Sequence, residues 1–432
     1  MTKALPLSNN QLIDLLKKEI QPAVGCTEPG SVVYAASLAS EKCRGEIKSI
    51  EVLLSPGVLK NAYSVGIPGT GEKGLELAGA IGALLKSPAF GLELLHNLST
   101  DTVQEAKKMV EANVISIDYD CDEFGVFVQV TVTTDQDRCR VVLKGGHTNL
   151  QLIELNGRIV FEADLEDTGK AKVSLRECRL DDLIGQAASL ELSETRFLLN
   201  AYEQNKKVAD LGLNSKYGAG IGFGLSGLFD KGILERDVVN EVKAAVAAAS
   251  DVRMAGVDFP VYTSFGSGNQ GILCSLAIGF LGEKLEVSEE RLGAALAIGH
   301  LVNGYVKEHI GKISVLCGCS VSAGLGVAAA ASWLINSDAD HAKAMDNLLG
   351  NITGIICDGA KGSCALKLAT SAGEALISAF LGVEGISINT CEGIIERDIH
   401  QTIANLGLVT HKGMPNLDTV MLDLVLNRDC RN

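Results

Sequence analysis

Apolar positions in the first third of the chain switch between two periods. Residues 11–20 and 31–42 place them at helical spacing, and 47–54 reads as a strand. Helical spacing returns at 72–85 and 102–112. Period-two runs follow at 126–132, 138–143, 150–155 and 158–162, with Gly145-Gly146 and Asn156-Gly157 as hairpin turn signals between them. This pattern predicts an α+β domain with an antiparallel sheet over residues 1–167. Beyond it the strand pattern stops. Helices are expected at 194–208, 235–249, 271–281, 289–307, 313–334, 339–355, 364–381 and 393–406, which makes 168–432 a larger all-α, Gly/Ala-rich domain.

The 47 glycines in 432 residues, against a usual share of ~7%, predict helices that approach closely and loops that bring N–H groups near a small ligand. Residues 313–335 carry no charge and meet the length criterion for a membrane span. Their many Gly, Ser and Ala give weak transfer energy, so a buried helix is expected instead. No secretory h-region is visible near the start, and a cytoplasmic location is expected. There the twelve cysteines are free thiols or metal ligands rather than disulfides. The net charge of −15 and the 4% aromatic content argue against nucleic acid and anionic membranes as partners. That leaves a small-molecule ligand, with a second copy of the chain as the candidate protein partner.

Three constellations could carry chemistry. In Gly25-Cys26-Thr27-Glu28-Pro29, Thr27 suits an N-cap and Pro29 the first turn of the following helix. Cys26 then lies at the positive end of the dipole, which favours a thiolate and a base role. It is otherwise a small apolar loop residue. Cys357 and Cys364 bracket a Gly-rich loop, and Cys317 lies forty residues before Cys357. Read as one helix, the uncharged run puts Cys319 about 200° around from Cys317, so the two would not share a site. Three cysteines leave one position of a cluster open, although cysteines in Ala/Gly-rich helices are commonly just buried. Ser267-Gly268-Asn269-Gln270, opening a helix at Gly271, can hold a carboxylate or be an ordinary capped loop. Gly222, Gly224 and Gly227 spell a dinucleotide fingerprint but lack a preceding strand. His147, His300 and His309 form no recognisable metal motif.

Taken in order, the Gly25 to Pro29 motif, Lys60-Asn61, residues 66–70, Arg253-Met254-Ala255-Gly256, Ser267 to Gly271, Cys317 and Cys357 to Cys364 resemble the L-cysteine desulfidase family, itself related to the iron-sulfur L-serine dehydratases. The resemblance implies a 4Fe-4S cluster on Cys317, Cys357 and Cys364. It implies Cys26 as the base, with Thr27, Glu28, Lys60, Asn61, Ser267, Gly268, Asn269 and Gln270 around a small amino-acid substrate. The implied reaction is elimination of sulfide from L-cysteine, with L-serine dehydration by the same route as the alternative. Cys26 as a displaceable fourth cluster ligand, a pyridoxal-phosphate lyase using Lys361, and a non-catalytic iron-sulfur sensor are the rival readings.

Overall fold

The computed structural model describes residues 7–96, 98–163 and 174–427; the expected domain boundary near residue 167 lies outside them. The architecture is α+β, with a six-stranded sheet in the N-terminal half and a larger helical C-terminal part. The sheet runs in the order Ile115–Tyr119, Ile47–Leu54, Phe127–Thr134, Arg138–Lys144, Leu150–Leu155, Arg158–Glu162. Every pairing is antiparallel except the first, where Ile115–Tyr119 lies parallel to Ile47–Leu54. Alternation explains which face is buried: Ile50, Val52 and Leu54, Val128, Val130 and Val132, and Cys139, Val141 and Leu143 all enter one core. The helices Thr27–Lys42 and Leu75–Leu85 contribute Val32, Val33, Ala36, Ala78 and Ile81 to that core.

In the helical part, the predicted elements at 194–208, 235–249, 271–281 and 289–307 are the helices Leu192–Asn214, Val238–Met254, Gly268–Lys284 and Glu289–Ile310. Their contacts rest on small side chains. A Cβ on Gly326 would lie 2.2 Å from the Gly299 carbonyl oxygen, so the helices Glu289–Ile310 and Ser322–Ile335 cross where neither has a side chain. Gly222, Gly224 and Gly227 fall inside the helix Ile221–Asp230, and the element before it is the helix Leu192–Asn214 rather than a strand.

One expectation fails. The uncharged run does not form one helix from residue 313; the helix starts at Ser322, and Cys317 and Cys319 sit in the loop before it. The cause is a long-range pairing: Leu316 and Ile356 form an antiparallel bridge, Cys317 N–H donates to the Ile355 carbonyl at 2.8 Å, and Cys357 N–H donates to the Val315 carbonyl at 2.8 Å. That pairing holds the segment extended against its local preference. Among the described residues one helix, Cys364–Val383, is long and apolar enough to cross a membrane, and 56% of its apolar window is buried inside the protein.

The ends of the chain tie the two cores together. Leu12, Leu16 and Ile20, at the N-terminus, pack into the helical core. Leu422, from the helix Leu417–Leu426 near the C-terminus, packs into the sheet core. The short strand Pro22–Ala23 pairs with Val261–Tyr262. This last pairing delivers the Gly25–Pro29 segment to the loop that precedes Ser267.

Candidate active site

Gly25 adopts a left-handed φ of +73°, and a Cβ there would lie 2.3 Å from the Pro68 ring, so only glycine suits this entry into the helix Thr27–Lys42. Cys26, not Thr27, is the N-cap residue. Its thiol points to Glu28, with Sγ 2.9 Å from Oε2. Burial, then the Glu28 charge, push the Cys26 thiol far above its ordinary range, with Arg253 acting the other way. The thiol is therefore a hydrogen-bond donor at rest, because loss of solvation outweighs the helix dipole. Burial pushes the Glu28 carboxyl upward, but His147, the Cys26 hydrogen bond and Arg253 outweigh it and hold it below the usual range. Asn61 Nδ2 donates to the other carboxylate oxygen at 3.1 Å, and the Thr27 hydroxyl lies 3.1 Å from Oε2 and 3.2 Å from the Gly266 carbonyl.

Across the cavity, the helix Gly268–Lys284 starts at N-cap Ser267 after a tight turn. Ser264 and Ser267 exchange two backbone hydrogen bonds, and Phe265 and Gly266 between them have φ of 47° and 81°. One stripe of the helix Glu289–Ile310 clamps this turn. His300 Nδ1 and Asn303 Nδ2 lie 2.8 and 2.9 Å from Ser264 Oγ, and Lys307 Nζ donates to the Phe265 carbonyl at 2.6 Å. The Phe265 ring fills the space where Gly304 has no side chain, 2.2 Å from a would-be Cβ. Burial pushes Lys307 down to about 8 and His300 down to about 3.

The turn aims Asn269 and Gln270 into a cavity of about 80 Å³ that is also lined by Cys26, Glu28, His147 and Arg253. Four buried polar atoms there have no protein partner: His147 Nε2, Arg253 Nε, Asn269 Oδ1 and Gln270 Oε1. Buried groups of this kind are rare without a partner, and their convergence is what a small polar ligand would satisfy. Burial drives His147 down to about 4, so it faces the cavity as neutral imidazole at ordinary pH.

The remaining wall is thiol. Cys317, Cys319, Cys357 and Cys364 all line the same cavity. Cys317 and Cys357 are brought side by side by the Leu316–Ile356 bridge, and Cys364 opens the helix that follows the Gly359–Ser363 loop. A hydrogen bond from the Cys319 thiol, opposed by burial and helped by Ser320, brings Cys317 down to about 6. Burial raises Cys357 and lifts Cys364 to about 11. The geometric argument separating Cys319 from Cys317 therefore does not hold. Among the described residues no three His, Cys, Asp or Glu side chains converge on one point that could hold a single metal ion. Soft sulfur donors spread over one wall of the cavity fit a larger iron-sulfur group instead.

Two walls are joined by Asn61, whose Oδ1 lies 3.6 Å from Cys357 Sγ. Its neighbour Lys60 does not reach the cavity. The fully buried Lys60 ammonium donates to the Cys357 carbonyl at 2.9 Å and pairs with Asp418 at 2.5 Å, so it braces the cysteine loop against the C-terminal helix. His147 and Arg253 had no assigned role in the sequence reading, although Arg253 stands in one of its motifs. His147 follows the Gly145-Gly146 turn signal, but nothing local shows that the turn reaches this cavity.

A partly open pocket, walled by thiols and by polar atoms without a partner among the described residues, suits a small polar molecule, and the family of the chain makes that site one of the serine dehydratase kind. The sequence model of the serine dehydratase alpha chain matches residues 89–423. This chain belongs to that family. It is similar over nearly its full length to curated relatives. A UPF0597 protein of Clostridium botulinum is 37% identical over 419 residues, 96% of either chain. One from Clostridium perfringens is 35% identical over 421 residues, covering 96% of this chain and 98% of its own. Another, from Parabacteroides distasonis, is 37% identical over 424 residues, 97% and 98% of the two chains.

Proposed function

We propose that this chain is a cytoplasmic carbon–sulfur lyase that eliminates sulfide from L-cysteine, giving pyruvate, ammonia and hydrogen sulfide, with a 4Fe-4S cluster held by Cys317, Cys357 and Cys364. The observation that carries the reading is the meeting, in one cavity, of the four thiols, the Cys26–Glu28 pair and four buried polar atoms without a partner among the described residues. When bound, the cluster supplies a Lewis-acidic iron for the departing β-substituent. The chain's own residues do the rest. Arg253 and the start of the helix at Gly268 take the substrate carboxylate, and Asn269 and Gln270 orient it. Glu28, fixed by Asn61 and Thr27, accepts the hydrogen bond of the Cys26 thiol at 2.9 Å; at rest the proton stays on sulfur, and its transfer to Glu28 accompanies substrate binding. The thiolate so formed takes the substrate α-proton. Elimination leaves an aminoacrylate, which hydrolyses in water to pyruvate and ammonia.

The second reading keeps every residue role and changes the leaving group to the hydroxyl of L-serine. The name of the family favours it. Sulfur on iron favours cysteine. Protein purified without air, with iron and sulfide quantified, should release pyruvate and sulfide in equal amounts from L-cysteine and turn over L-serine more slowly. Pyruvate from L-serine alone would install the dehydratase reading, and no pyruvate from either would end the lyase proposal.

A further inference from the structure

Among the described residues, the strand Arg158–Glu162 lies at one edge of the sheet and is paired only with Leu150–Leu155. All five of its residues are exposed. Three consecutive ones are large and apolar: Ile159, Val160 and Phe161 are 58%, 54% and 42% exposed. An edge strand offers free N–H and C=O groups as a template for another strand, and natural edges are normally blunted by charge, proline or cover. This one keeps charge only at its two ends, and of opposite sign. Ion pairs elsewhere in the sheet, Arg140–Glu154 and Arg138–Glu51, use other residues.

The order Arg158-Ile159-Val160-Phe161-Glu162 has an apolar centre that is alike in either direction and end charges of opposite sign, so an antiparallel copy is complementary to it. Laid antiparallel on a second copy about a two-fold axis through Val160, Arg158 meets the partner's Glu162, Ile159 meets the partner's Phe161, and Val160 meets the partner's Val160. A two-fold contact demands this self-complementarity, since every residue pair must occur twice. Shifting the register by two residues would break both charge pairs and return an apolar residue to water. We propose that Arg158–Glu162 is a homodimer interface that joins the two six-stranded sheets into one continuous sheet. This inference is independent of the reaction the cavity performs.

Sedimentation equilibrium of the full chain, whose mass is 45.4 kDa, tests it. The parent should sediment at twice that mass. Arg158→Glu and Glu162→Arg each replace two attractive cross-strand pairs by two repulsive ones, and each should weaken dimerisation by about tenfold or more. The double variant Arg158→Glu/Glu162→Arg restores opposite charges across the axis and should recover the dimer. Val160→Lys, which sets two ammonium groups against each other on the axis, should give monomer with an unchanged circular dichroism spectrum. A monomeric parent, single variants that dimerise as well as the parent, or a double variant that stays dissociated would each overturn the proposal.

Discussion

Cys26 and Cys317 line one cavity, and their surroundings treat them in opposite ways. Cys26 is buried beside a carboxylate, which keeps the thiol protonated and makes it a donor to Glu28. Cys317 is as deeply buried, yet the neighbouring Cys319 thiol and Ser320 lower it to about 6. The difference is in what each sulfur receives. A thiol beside a negative charge can hold and pass a proton, whereas a sulfur supplied with hydrogen bonds is prepared to stay as thiolate, the form that binds metal. On the proposed reading, one residue type serves proton transfer at Cys26 and ligation at Cys317, while Cys357 and Cys364, raised by burial, become thiolates only on taking up the cluster.

The contrast breaks most completely if the ligating wall is removed. Cys317→Ala, Cys357→Ala and Cys364→Ala should each lose bound iron to background and lose turnover with it, while Cys319→Ala keeps its iron. Iron and sulfide analysis of anaerobically purified variants checks this, and an iron-free Cys319→Ala would make that residue a ligand. Removing the other wall should leave iron in place. Glu28→Gln should lower turnover by roughly 10²- to 10⁴-fold, the usual contribution of a positioned proton acceptor, with the visible spectrum of the bound cluster unchanged. A smaller effect is expected from the substrate-facing helix start. Asn269→Ala should raise KM by roughly tenfold, as for loss of one buried hydrogen bond, with kcat nearly unchanged.

The remaining expected effect is on stability, and it sharpens the electrostatic side of the comparison. His147 is held down to about 4 by burial, so between about pH 6.5 and 4 the unfolded chain binds a proton that the folded chain does not. Its contribution is complete above pH 6.5 and declines as pH falls, by about 2 kcal/mol by pH 5. Urea midpoints should drop between pH 7 and pH 5, and drop less in His147→Gln. Equal slopes in the two proteins would remove His147 from this account.

What the sequence revealed about the site depends on how local each feature is. Cys26 and Glu28 are two residues apart at a helix start, and Ser267 to Gln270 are contiguous, so chain order alone places both groups correctly. The strands at 150–155 and 158–162 are readable for the same reason, since the Asn156-Gly157 turn signal lies directly between them. Cys317 and Cys319 were misplaced because the surrounding run has helix-compatible composition, and the contact that overrides it, Leu316 with Ile356, spans forty residues. Ile115–Tyr119 went unrecognised although it alternates, because its partner in the sheet is a strand far earlier in the chain. Lys60 was assigned to substrate; only the position of Asp418, from the other end of the chain, shows that it braces the Cys357 loop instead.

The division of labour between the two walls is tested most directly by exchange of the substrate α-proton with deuterated solvent, followed by NMR in iron-loaded parent and iron-loaded Cys26→Ser. With iron content and cluster spectrum equal in the two proteins, the account predicts that exchange falls by roughly 10²- to 10⁴-fold in the variant, because the serine hydroxyl cannot supply the thiolate's basicity near neutral pH. Exchange at the parental rate in Cys26→Ser would contradict it.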